Sequence, residues 1–129
     1  MTDLMKRLLG APDLKNLPGV EVELPRLSAE GSPFVVRLRP LSWKRIGELR
    51  AGDADEAKLK LILASCPELG GRMEPTDIDP EHGVLTAEDV LRAKLLPGEI
   101  DALVNQIDRL CGYSRDAVVV HRVVEEVKN

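Results

Sequence analysis

The stretch Lys94–Tyr113, KLLPGEIDALVNQIDRLCGY, limits this chain more than any other. Pro97 has no amide hydrogen and a fixed φ, which suits the first turn of a helix. Glu99 and Asp101 then lie near the positive end of the helix dipole. Ile100, Leu103, Val104, Ile107, Leu110 and Cys111 recur at steps of three and four, which gathers them on one helical face. Asp101, Asn105, Asp108 and Arg109 occupy the other. Gly112 stands where a left-handed residue ends a helix. A helix with one such face needs a cover, and a chain of 129 residues must supply it from one domain, 1–129.

The cover has to be aliphatic. Phe34, Trp43 and Tyr113 are the only aromatic residues, although 43% of the chain is apolar. So few rings also argue against a platform for stacking bases, and a net charge of -4 argues against general binding to phosphate backbones. We therefore expect no nucleic-acid partner. No apolar run is long enough to cross a membrane and no signal peptide is visible, so we expect a soluble intracellular protein with no membrane partner. Cys66 and Cys111 both sit in apolar helical settings and read as small buried hydrophobes in a reducing compartment.

The remaining elements follow in order. Residues 1–19 hold a short helix capped by Thr2, with Leu4, Met5, Leu8 and Leu9 apolar, and a linker rich in Pro and Gly. Residues 20–40 alternate twice. Val20, Val22 and Leu24 alternate with Glu21 and Glu23 in a strand running to Leu27, with Pro25 marking an edge or bulge. Phe34, Val36 and Leu38 alternate with Val35, Arg37 and Arg39. Glu21 and Glu23 can face Arg37 and Arg39 across a β-hairpin. Residues 41–66 predict two helices. Ser42 caps the first, with Trp43, Ile46 and Leu49 along its apolar edge. Asp53 begins the second, which is apolar nearly all round in its later half and belongs at the centre of the core. Residues 67–85 are irregular. Residues 86–129 open on Thr86-Ala87-Glu88-Asp89, a capping-box layout with Asp at its third helical position. They end on a helix capped by Ser114, with Val120, Val123, Val124 and Val127 as its inner stripe. Valine loses rotamer freedom in helices, so a strand is the competing reading of that stripe. The expected fold class is α+β: an N-terminal β-hairpin packed on a small, mostly α-helical bundle of about five helices.

No catalytic, cofactor-binding or metal-binding residues emerge. The acidic loop Asp77–Glu88 resembles an EF-hand, but its glycine is one position late and Pro80 stiffens it. His82, His121, Cys66 and Cys111 lack the close pairs of structural zinc sites. Cys111 with His121 would be a nucleophile and base only if the thiol left its apolar face. Arg37, Arg39, Lys44, Arg45 and Arg50 form a basic region that reads first as a solvated face. The apolar residues instead point to protein binding. An amphipathic helix of a partner can lie in a groove walled by Ile100, Leu103, Val104 and Ile107 on one side and Val120, Val123, Val124 and Val127 on the other. Self-association through the same stripe is a second use. If the N-terminal helix fills that groove in the free protein, deleting residues 1–10 strengthens partner binding.

Two segments carry a resemblance. Phe34–Arg50, FVVRLRPLSWKRIGELR, is a strand, a break and a helix. Leu95–Asn129 has a GEI helix start, an I-x-x-L-x-G-Tyr helix end and a closing VKN. Together they resemble the XkdN-like tail assembly chaperones of long-tailed bacteriophages and prophages. The resemblance implies a chaperone that binds the tape measure protein, keeps it soluble, and helps bring tail tube protein to it. It also implies work in the cytoplasm of the bacterial host and absence from the mature virion. It further implies a second, longer product made by programmed frameshift, which the Lys128-Asn129 ending would fit. The competing expectation is a structural tail or head–tail connector subunit retained in the virion.

Overall fold

The computed structural model describes residues 1–70, 81, 86–114 and 116–124. Among them are five α-helices and one two-stranded sheet in the order α1 (Asp3–Leu9), β1 (Val20–Glu23), β2 (Val35–Leu38), α2 (Trp43–Arg50), α3 (Ala54–Ser65), α4 (Ala87–Lys94) and α5 (Pro97–Leu110). The fold class is α+β, as expected.

β1 and β2 are antiparallel, with Val20 opposite Leu38, Glu21 opposite Arg37, Val22 opposite Val36 and Glu23 opposite Val35. The alternation works as the residue pattern requires. Val36 and Leu38 are buried and Val20 and Val22 half-buried, while Glu21, Glu23 and Arg37 face water. Arg37 Nε donates to Glu21 Oε1 at 3.1 Å. Arg39 has no such match, because the register sets Glu23 against Val35. The first strand is also shorter than the alternation implied. It stops at Glu23, and Pro25–Leu27 is a tight 3₁₀ turn. Proline's fixed φ suits the first position of such a turn and removes a ladder donor. At the start of β1, Gly19 passes so close to Leu38 that an added Cβ would lie 2.2 Å from its carbonyl oxygen.

α3 sits at the centre. It packs against α5, α2, α4 and β2. Leu59, Ile62 and Cys66 on one side join Leu24, Val36, Leu38, Leu91, Leu103 and Ile107 in the main core. Leu61 on the other side joins Ile46 and Leu49 under α2. A helix apolar on both sides can serve two layers at once, which is why its sequence lacks a polar face in its second half. Its N-cap is Asp53, whose Oδ1 accepts from the amides of Asp55 and Glu56.

The chain between helices is held by polar groups the apolar pattern does not reveal. Ser65 is fully buried at the end of α3. Its hydroxyl donates to the Arg39 carbonyl at 2.7 Å and accepts from the Arg39 amide at 3.0 Å, which ties α3 to the end of β2. Thr86 and Asp89 form the full reciprocal capping box of α4. α5 ends in a Schellman motif. The Gly112 amide bonds to the Arg109 carbonyl, the Tyr113 amide bonds to the Asp108 carbonyl, and Gly112 takes φ 90°.

Two further expectations fail. Trp43 is 88% exposed and is not part of the α2 core edge. It is the first residue of α2, and helical side chains lean toward the N-terminus, so its ring extends past the helix instead of over Ile46 and Leu49. The helix expected after Ser114 does not form in residues 116–124, which run without regular structure. Valines there carry the helix penalty of β-branching and none of them is buried to offset it. Val127, most of the acidic loop and His82 lie outside the described residues.

Candidate partner-binding surface

The sequence-derived wall residues separate into three groups. Leu103 and Ile107 are 0% exposed and fill this chain's own core beneath α3. Ile100 and Val104, on the same helix, are half-buried at its edge. Val120, Val123 and Val124 are exposed, Val123 by 85%, and so are Val118 and Val119. The expected groove between α5 and a valine helix is therefore not formed among the described residues. α5 has one apolar face, and α3 consumes most of it.

Ile100 does line a cleft. With Leu59, Leu95 and Pro97 it floors an open depression of about 340 Å³. The rim carries Asp55, Glu56, Lys58, Arg92 and Asp101. Those charges are paired around it: Arg92 bonds to Glu56, and Lys58 Nζ lies 3.1 Å from Asp101 Oδ1. The cleft is shallow and charge-laced, which suits a side chain or two of a partner but not the whole face of a helix.

The exposed apolar side chains lie chiefly at the two ends. α1 is capped as its sequence predicts, with Thr2 Oγ1 accepting from the Met5 amide at 3.2 Å. It buries no residue at all. Leu4, Met5, Leu8 and Leu9 share one exposed face, Leu4 at 76%. Lys6 and Arg7 lie on the other side. Seven residues without tertiary support make a marginal helix in water, and among the described residues nothing covers its apolar face. The expectation that α1 fills a groove of its own chain is not met.

Trp43 is the exposed apolar residue that the sequence pattern places in the core. A helix spacing of three to Ile46 read as core, and only its position in the first turn signalled otherwise. An exposed tryptophan on a rigid helix is the residue type that most often anchors a protein interface. The basic region beside it is largely neutralised. Arg37 pairs with Glu21, Arg45 with Glu48, and Arg50 with Asp108 at 2.8 Å. Arg50 also lies 5.6 Å from the Tyr113 ring centroid, joining α2 to the end of α5.

A further clasp holds the hairpin to the helices. Arg26 donates to both oxygens of Glu99 and to the Lys94 carbonyl. Glu99 Oε1 also accepts from the Leu96 amide at 2.7 Å, closing the start of α5. The Arg26 hydrogen bonds, then the Leu96 amide, hold the Glu99 carboxyl below its ordinary pKa. Cys111 is half-buried, and its Sγ accepts from the Leu41 amide at 3.3 Å.

Among the described residues, no three His, Cys, Asp or Glu side chains come together as a metal site, and no helix is long and apolar enough to cross a membrane. The arrangement is one of exposed apolar ends on a closed body. No curated protein and no solved structure matches the chain. A family model does match, over residues 5–128, and its description is phage XkdN-like tail assembly chaperone protein; the chain belongs to that family.

Proposed function

We propose that the protein binds the tape measure protein and keeps it soluble during tail assembly in the cytoplasm of the bacterial host. The observation that supports this reading is the placement of uncovered apolar side chains. Leu4, Met5, Leu8 and Leu9 on α1 and the valines from Val118 to Val124 are exposed on a body whose own core is complete. A chaperone for aggregation-prone helices needs apolar surface it does not use itself, carried on segments that can adapt to the client. Val120, Val123 and Val124 act in this reading as partner contacts, with Val127 continuing the run. Ile100 and Val104 extend the contact onto the body through the cleft edge. Leu103 and Ile107 support that edge from beneath. Release before the particle matures, delivery of tail tube protein and a frameshifted longer product belong to the same reading. Catalysis has no part in it.

Co-expression with the tape measure protein of the same gene cluster, followed by pull-down and a solubility assay, tests the proposal. The tape measure protein should become soluble and co-purify. Leu4→Glu with Leu8→Glu should reduce recovery at least about tenfold, since each leucine buried in a complex contributes roughly 1.5–3 kcal/mol. A tape measure protein that stays insoluble in the presence of the chain would overturn it. Mass spectrometry of purified particles then separates a chaperone, which is missing, from a structural subunit, which is retained.

A further inference from the structure

The hairpin has two edges, among the described residues one bonded at its end and the other bonded nowhere along its length. The Leu24 amide donates to the Phe34 carbonyl at 2.9 Å. Antiparallel bonding alternates, so the pairs Val22–Val36 and Val20–Leu38 also face inward, and the amides and carbonyls of Glu21 and Glu23 point away from β2. Among the described residues nothing bonds to them. At Arg39, the matching edge of β2 is closed by Ser65 and the Ser65 carbonyl. The outward groups of Val35 and Arg37 are free too among the described residues, but that edge carries Arg37 where β1 carries Glu21 and Glu23.

The same molecule carries an unpaired segment with the composition of a strand. Residues 118–124 read Val-Val-Val-His-Arg-Val-Val. Five of the seven are β-branched, the composition of a strand. The segment is exposed throughout and forms no hydrogen bond or ion pair within the described chain. We propose that residues 118–124 of one molecule add as a third strand to the β1 edge of a second copy, a β-augmentation.

Charge selects this occupant. Exposed edges attract other edges, and Glu21 and Glu23 oppose the pairing of β1 with another β1, because like carboxylates would meet. They favour a strand that brings a cation. Glu21 already has Arg37 across the hairpin, but Glu23 faces Val35 and, among the described residues, accepts only from the Ser28 hydroxyl. Arg122 supplies that cation when the strand adds with its Arg122 side chain on the face of Glu21 and Glu23. In the folded molecule the segment is not bonded to its own β1, and the proposal assigns the pairing to a second copy. It concerns the free protein and stands whether or not the tape measure reading does. The valines would then be covered until a client displaces them.

Sedimentation velocity of the full chain over a wide concentration range, at low salt, tests the proposal. The weight-average mass should rise with concentration. Glu23→Arg and Arg122→Glu should each weaken association about five- to tenfold, and the double exchange should restore it. Glu21→Pro, which removes an outward amide and no hairpin bond, should abolish it. If circular dichroism shows that the proline variant does not fold, the charge exchange decides, since it leaves the backbone intact. A chain that sediments as one molecule at every concentration overturns the proposal, as would a tail folded back on its own β1. Association that ignores Arg122→Glu and Glu23→Arg also overturns it, and would assign self-association to α1 or another face.

Discussion

Trp43 shows how position within an element decides a residue's fate. Its chemistry is that of a core residue, yet the first turn of α2 leaves it in water. As it is the chain's single tryptophan, its fluorescence reports on that site without labelling. Emission of the free protein should lie close to that of indole in water, and shift to the blue when a client covers the ring. Trp43→Ala should change stability by no more than about 0.5 kcal/mol while weakening client binding. A blue emission in the free protein would refute the exposure. Glu99 makes the opposite case, a surface carboxylate with a structural task. Its pKa is lowered in the folded chain, so the folded state binds fewer protons than the unfolded one on the acid side of the carboxylate range. The clasp with Arg26 and Leu96 therefore stabilises above that range and is lost as pH falls through the lowered value. Glu99→Gln and Arg26→Ala should each flatten the acid limb of a plot of thermal midpoint against pH. The double variant should add little to either, because both remove one interaction.

At the scale of elements, local signals were reliable where the cause was local. Thr2, Ser42, Asp53 and Thr86 all cap helices as their side chains predict, because the bonded amides lie two or three residues away. The stop at Gly112 is equally local. The valine segment was not legible in this way, since helix and strand patterns both fit it and tertiary cover, which it lacks, would have to choose. α1 was legible as a helix but not as a free one. Deleting residues 1–10 should leave the thermal midpoint of the remainder nearly unchanged, because none of them is buried. It should also weaken tape measure binding about tenfold or more, the reverse of what a groove-filling helix would do. Stronger binding on deletion would show that α1 inhibits the chain's own surface.

For the whole molecule, α3 is the element on which the others depend. Ile62 is fully buried where β2, α4 and α5 meet, so Ile62→Ala should cost about 2–5 kcal/mol, read by chemical denaturation. Val123→Ala should stay within about 0.5 kcal/mol, since there is no packing to lose. Equal costs at the two positions would contradict the division between closed body and open ends. That division is what the proposed function rests on. The body satisfies itself with aliphatic side chains, and most of the apolar residues left over lie toward its two ends, with Trp43 between them.

By itself the sequence determined the α+β class, the hairpin and its face, the caps, the centrality of the second half of α3, and the family resemblance. Each follows from spacing along a few turns or strands. Only the tertiary structure decided which apolar residues are spent and which are free. Ile100, Leu103, Val104 and Ile107 share one periodicity, and α3 covers the middle of that face and leaves its edge. Val120 and Val123 carry the same spacing with nothing packed over them. Periodicity records that a side chain seeks cover; whether the cover comes from within the chain depends on the arrangement of elements far apart in sequence.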